Sequence, residues 1–447
     1  MTPPPDPRPD LGRAGRVLAL LAFLAAALAR LPEVAAKGRF YVEEGTFFFA
    51  YAWHMPWRDA LFHPLGGYLN IVATGAALAD ANLVRGGYLP LEWAPYLTQG
   101  VALVFQACPA IIILTARAEW LVGRWRRLAA LALVATAPLA EQTWLNTLHS
   151  QFHLGLAAGL ILALEAEAGA AVTWFRLALL ALGPLCGPAA IALAPLFVAR
   201  VGLLERTRAR AGQAVAIGLG AAVQLGLFYV GSKARGLTID APTLSEVMYI
   251  RHVLVPLFGP DVALRYAQAT RATFLAGGTP WAPIVLGAVA VLGALIFAAS
   301  RWRRPEAWLI LGGLWLAVIS YVGAIGSGPL LIDPIAATRY AFVPETLFAL
   351  AALAASVEFR YAGWLVAWLI AVGVVSFPFP IDELADGPDW RAEVKAWRAD
   401  DHHRLAIWPK GWFVDLDPTA RLCSADPHDP DPPDFCDQYW EASPDQR

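Results

Sequence analysis

The stretch Arg39-Phe40-Tyr41-Val42-Glu43-Glu44-Gly45-Thr46-Phe47-Phe48-Phe49 follows directly on the first apolar run, 17–31, and decides how the chain is read. An ionised side chain is costly at the centre of a bilayer and nearly free in water, so adjacent acids among aromatics mark the place where a span surfaces. The plainer reading of such acids is a solvated position in the headgroup layer. The sharper reading is the wall of a half-buried site.

Composition outside this stretch sets the same frame. Of 447 residues, 58% are hydrophobic and 16% charged, against about 25% charged in soluble domains, and this reads as a polytopic, all-α membrane chain. With a net charge of −2 and arginines scattered between apolar runs, there is no basic face for a nucleic acid. The Ala, Arg, Gly and Pro bias is that of GC-rich coding and points to a bacterial origin.

A span needs about 20 mostly apolar residues, fewer where it is short or re-entrant, and on that basis the sequence predicts about eleven transmembrane helices. The runs are 17–31, 94–116, 128–140, 152–166, 172–185, 189–204, 214–230, 283–299, 308–325, 341–357 and 363–377. The first, preceded by Arg8, Arg13 and Arg16, has the shape of a signal peptide. The many spans that follow favour an uncleaved first helix behind a cytoplasmic tail, 1–16.

Short cytoplasmic loops carry the excess of Lys and Arg. Arg117, Arg124, Arg126 and Arg127, then Arg200, Arg206, Arg208 and Arg210, then Arg301, Arg303 and Arg304 fall on one side together with the N-terminus. The loop with Glu165, Glu167 and Arg176 belongs there too, although it carries more acid than base. This places the N-terminus in the cytoplasm and the C-terminus outside, in a bacterial inner membrane. The core, 17–377, then carries large outer loops at 36–93 and 232–280, and 378–447 forms an extracytoplasmic cap and tail. Within the first loop, 68–84 reads as a helix at the interface, because Asp80 and Asn82 suit hydrocarbon badly.

In the cap, Trp390, Val394 and Trp397 share a helical face, and 405–409 with 412–414 read as strands around a Pro-Lys-Gly turn. Cys423 and Cys436 are expected to pair as a disulfide in an oxidising compartment, whereas Cys108 and Cys186 lie in apolar runs. No zinc spacing is present.

An acidic pair at the outer end of the first span, His63-Pro64-Leu65 later in the same loop, and Gly183-Pro184-Leu185-Cys186-Gly187-Pro188 breaking a helix pair together resemble the GT-C superfamily of membrane glycosyltransferases. Members of that superfamily carry an Asp-Glu pair and a His-Pro-Pro-Leu or Lys-Pro-Pro-Leu element; here the pair is Glu43-Glu44 and Pro64 stands alone. The resemblance spans 17–377. It implies transfer of a sugar from a polyprenyl-phosphate donor to an acceptor hydroxyl of an envelope glycan, lipid or protein, on the outer face and with inversion.

That chemistry asks for one carboxylate to take the acceptor proton and cations to hold the phosphate. Glu43 corresponds to the base, with Glu44 binding acceptor or a metal, and the two roles are interchangeable at this level. Arg339, followed by Tyr340, starts the tenth span on the outer side and is the first candidate for the phosphate; its plainer role is to snorkel to headgroups. Arg251, flanked by apolar residues, is the second. His63 and the connection with Trp144, Asn146, His149 and Gln151 offer rings and amides to a sugar, or else form a solvated turn. His54 and His63 with the two glutamates fit no compact metal motif, and a divalent metal stays an open matter because some members of the superfamily use one. The rival reading is a transporter or lipid-linked sugar flippase, which asks for charges at mid-membrane depth and an internal repeat; the sequence shows few such charges and no evident repeat.

Overall fold

The computed structural model describes residues 10–231, 239–324, 328–379, 381, 384, 386–419 and 422. Cys423 and Cys436 lie outside the described residues, as do Lys233 and Arg235 of the second outer loop.

The chain is largely helical, and its centre is the helix Ser150–Ala163, every residue of which is buried. A helix apolar on all sides and buried on all sides is a core element. Around it pack Ala94–Gln106, Cys108–Thr115, Ala170–Leu182, Pro188–Ile191, Pro305–Val322 and Arg339–Ala355. The outer helices turn apolar side chains outward instead. Leu219 on Arg208–Gly231 and Val289 and Ile296 on Trp281–Ser300 are each about 60% exposed or more. An apolar surface of that extent belongs against lipid, and the chain is a membrane protein.

Among the described residues, four helices are long and apolar enough to cross a membrane: Leu91–Thr115, Arg208–Tyr229, Trp281–Ser300 and Pro305–Val322. A fifth span results if the pair Ala170–Cys186 and Pro188–Leu203, bent by 119°, counts as one. The other runs expected to span form shorter or more charged helices, such as Arg13–Arg30, Arg124–Ala135 and Arg360–Val375. The helices keep about the length of the expected runs, and most of those runs are themselves shorter than the roughly 20 residues that cross a bilayer. At the bend, Gly187 has φ 148°, and a Cβ there would overlap the Gln151 side-chain amide. At the other end of the central helix, Arg210 donates to the carbonyls of Ile161 and Leu164 while Arg200 donates to that of Leu162. Two arginines thus satisfy the open carbonyls that every helix leaves at its C-terminus.

The segment 68–84 is a helix, Ile71–Arg85, capped by the Asn70 side chain and packed on the stretch 44–49. Its Asp80 is fully buried, and neither carboxyl oxygen has a hydrogen-bond partner among the described residues. Burial and the neighbouring Glu44 charge push its pKa up to about 9, so it stays protonated at neutral pH.

The cap sits on the decisive stretch. Its helix Trp390–Ala399 is capped by Asp389, and its strands Leu405–Ile407 and Trp412–Val414 pair antiparallel. Tyr41 pairs in parallel with Trp408, through Val42 N donating to Trp408 O at 2.8 Å and Trp408 N to Phe40 O at 3.2 Å. Thr46 Oγ1 donates to Phe413 O at 2.7 Å, and Trp390 Nε1 donates to Leu91 O at 2.8 Å. Gly45 allows this approach: a Cβ there would lie 2.7 Å from Ile407 Cδ1 and 2.9 Å from both Phe40 Cβ and Val414 Cγ2. Gly45→Ala is expected to cost about 1–3 kcal/mol by overpacking, seen as a lower unfolding midpoint in detergent and earlier protease cleavage of the cap.

Candidate functional site

Three segments distant in sequence meet under the cap: 41–44, the connection 141–149, and the start of Arg339–Ala355. Each is built on strained backbone. Among the described residues the non-glycine positions with positive φ are Val42 (42°), Leu139 (54°), Leu145 (56°) and Ala337 (48°). Such positions cost on the order of 1–3 kcal/mol each and gather where the fold over-determines a functional geometry. Val42 directly precedes Glu43, Leu139 and Ala337 lie two residues before Glu141 and Arg339, and Leu145 opens the turn to His149.

Glu44 points inward. It is fully buried, and its carboxylate accepts from Thr147 N at 2.7 Å, Thr147 Oγ1 at 2.5 Å and Tyr41 N at 3.2 Å. With these bonds Glu44 ties the first loop to the 141–149 connection, leaving it little capacity to bind an acceptor or a metal. Glu43, next in the turn, is half-buried and accepts no side-chain hydrogen bond from another described residue. Its pKa is raised by burial, against the opposing pull of its own N–H and the Arg339 guanidinium.

Arg339 is half-buried, stacks on the Tyr340 ring at 4.8 Å and donates to Gln142 Oε1 at 3.4 Å. It interacts electrostatically with Glu43 but forms no direct ion pair with it. His149 completes the group: Nδ1–H donates to Gln142 O at 2.6 Å, which leaves Nε2 as an acceptor on a neutral ring. Burial, then the nearby Arg339, holds its pKa well below the usual imidazole value. Tyr41 lies 5.6 Å from the His149 ring, and Phe152 links His149 to Tyr340. One face therefore carries an open carboxylate, a guanidinium, an imidazole acceptor and aromatic walls.

Other sequence candidates fall elsewhere. Trp144 is core, packed on Phe23, His153 and Phe342. Asn146 is fully buried and folds the connection on itself, donating to Gln142 O and Trp144 O while accepting from His149 N. Gln151 packs at the helix break beside Gly187. His63 stands edge-on to Tyr51 at 4.6 Å, and none of its ring contacts or hydrogen bonds among the described residues is to Glu43, Arg339 or His149. Arg251 is buried and donates to Leu331 O, Asp333 O and Ala336 O at 2.8, 2.6 and 2.5 Å. It grips the segment that leads into Arg339, and so positions that residue.

Two site features were absent from the sequence reading. Gln142, which touches both Arg339 and His149, was passed over as one polar residue in a run of them. The apolar cavity of about 460 Å³ against the C-terminal half of Arg339–Ala355 had no signature at all, because Met248, Val291 with Phe297, Phe348 and Leu365 come from four separate helices. His252 is part of its lining, its Nε2 accepting from Tyr321 O–H at 2.8 Å.

Among the described residues, no group of three or more His, Cys, Asp or Glu side chains converges as a metal site would. His54 Nε2 is bonded to Asp415 O, and Glu44 is occupied by Thr147 and Tyr41, so the set Glu43, Glu44, His54 and His63 does not gather around a point. No family model, curated protein or solved structure matches the chain.

Proposed function

We propose that the chain is a GT-C-type glycosyltransferase of the bacterial inner membrane, moving a sugar from a polyprenyl-phosphate donor to an envelope acceptor hydroxyl with inversion. In this reading some eleven membrane segments, several of them short, surround the buried central helix. The N-terminus is cytoplasmic, and the Glu43 face lies outside under the cap. The observation that carries the reading is Glu43 and Arg339 on one half-buried face, coupled electrostatically yet not joined. An inverting displacement needs that separation: base on the acceptor side of the sugar carbon, cation on the phosphate side.

Glu43 takes the acceptor proton as the acceptor oxygen bonds to the sugar carbon. The bond from that carbon to the phosphate oxygen breaks, and Arg339 stabilises the polyprenyl phosphate that leaves. His149 Nε2 accepts a hydroxyl hydrogen bond from a substrate, and the half-buried Tyr340 offers its ring to the sugar. The apolar cavity against the C-terminal half of Arg339–Ala355 suits part of an isoprenoid chain.

Arg339→Ala is expected to weaken donor binding about 10- to 100-fold, the range for a hydrogen bond to a charged group, and Arg339→Lys to restore part of it. Donor affinity in lipid nanodiscs measures this; unchanged affinity in Arg339→Ala rejects the assignment.

One observation favours transport as a second reading. Glu345, inside Arg339–Ala355, is buried with Oε1 lacking a partner among the described residues, near Arg30 and Arg251. The fold thus holds more ionisable side chains at depth than the apolar runs showed, which suits an ion-coupled transporter or flippase. Movement of labelled lipid-linked sugar across proteoliposomes without release of polyprenyl phosphate would favour it.

A further inference from the structure

The other end of the molecule carries a second polar site. The N-terminal segment, the loop after Cys108–Thr115 and the loop after Ser150–Ala163 converge there around a cavity of about 410 Å³. Its walls include Arg16, Arg117, Arg127 and Arg176, with Asp10, Glu165 and Glu167 as the acids. Four guanidinium groups thus face three carboxylates, and two of those carboxylates, on Glu165 and Glu167, belong to exposed residues. This accounts for the acid-rich loop on the basic side: its Arg176 joins the arginines of the neighbouring loop.

The interior is built for an anion. Arg127 is 3% exposed and is fixed by donating to Leu121 O at 3.2 Å and Ala116 O at 2.8 Å, which leaves Nη1 to reach Asp10 at 2.8 Å. Arg16 meets the same carboxylate at 3.2 Å. Arg176 is also 3% exposed; it donates to Glu165 O, and its buried Nε has no partner among the described residues. An anionic group held between two guanidinium groups, with a third incompletely satisfied, is how proteins bind phosphate.

We propose that this cavity binds a phosphate group, and that Asp10 is its built-in competitor, occupying the position between Arg16 and Arg127. The phosphate can come from an anionic lipid headgroup or from solution. Trp125 and Trp174, 70% and 72% exposed on helices bordering the cavity, mark the headgroup level of a membrane, and Val17 and Leu18 beside Arg16 face outward. The lipid is therefore the expected source.

The test titrates the purified full-length chain in detergent with short-chain phosphatidylglycerol, short-chain phosphatidylcholine and inorganic phosphate, following tryptophan fluorescence and the unfolding midpoint. Asp10→Asn is expected to tighten phosphatidylglycerol binding by about three- to fivefold, the scale of one partly exposed ion pair, and Arg16→Gln to weaken it similarly. These two variants leave intact the carbonyl contacts of Arg127 that hold the loop. Inorganic phosphate binding with the same dependence on Asp10 would support the site with free phosphate as its ligand. Equal affinity for the two lipids, or phosphatidylglycerol binding unchanged in both variants, overturns the proposal.

Discussion

Glu43→Gln is expected to lower the turnover of sugar transfer by about 10²- to 10⁴-fold, the usual contribution of a general base, while donor affinity and folding stay near wild type. The amide keeps the shape of the side chain and removes only its ability to take a proton. Glu43 has no side-chain bond from another described residue to lose, so the variant isolates chemistry from stability. Two alternatives for the base are weaker on this face. Glu44 already accepts three hydrogen bonds, and His149 sits beside Arg339 with its pKa depressed. The sign of the pH dependence follows from burial. Because the Glu43 carboxyl is raised above its ordinary value, the base is lost at a higher pH than a solvated glutamate, and activity falls as pH drops through that raised pKa. A rate profile in nanodiscs whose acid limb disappears in Glu43→Gln measures this.

The second large effect concerns stability. Glu141→Leu is expected to destabilise the fold by about 3–5 kcal/mol, because it strands a buried guanidinium. Arg30 Nη1 lies 2.7 Å from Glu141 Oε1, each side chain 1% exposed. Arg30 Nη2 also donates to Ala135 O and Ala137 O, and Glu141 Oε1 further accepts from Phe379 N at 3.2 Å. The pair thus ties the first helix to the connection that carries Gln142 and His149. Replacing both partners, as Arg30→Met with Glu141→Leu, is expected to regain much of the loss, since two apolar groups leave no unpaired charge. Thermal unfolding of the three variants in detergent measures the coupling; equal losses in single and double variants would show that the ion pair is not its source.

Much of this was legible because it rests on local signals. Alternation and turn residues marked the strands around Pro409-Lys410-Gly411, and spaced tryptophans marked the helix that became Trp390–Ala399. Charge at the edge of apolar runs drew attention to Glu43 and Arg339, and a polar connection between two runs to His149; the fold places all three on one face. Which way a side chain turns was not legible. Glu43 and Glu44 are equivalent in sequence, and only the strained turn at Val42, held by Trp408, sends one outward and the other to Thr147. Positive φ at a valine or leucine has no sequence signature, unlike glycine. Trp144 and Asn146 were chosen as polar or aromatic residues in a polar connection, and the tertiary fold uses both as its filling. The number of spans was not legible either: the run 152–166 is almost wholly buried core, whereas 283–299 is mostly exposed, and hydropathy does not separate the two.

The most direct measurement is the release of polyprenyl phosphate when the purified chain, in lipid nanodiscs, is given a panel of polyprenyl-phosphate sugars with candidate envelope acceptors. The account predicts that at least one donor is consumed, that its sugar appears on an acceptor hydroxyl with inverted configuration, and that Glu43→Gln binds this donor without consuming it. If no donor across the panel is bound or consumed, or if Glu43→Gln turns over as fast as wild type, the glycosyltransferase reading is wrong.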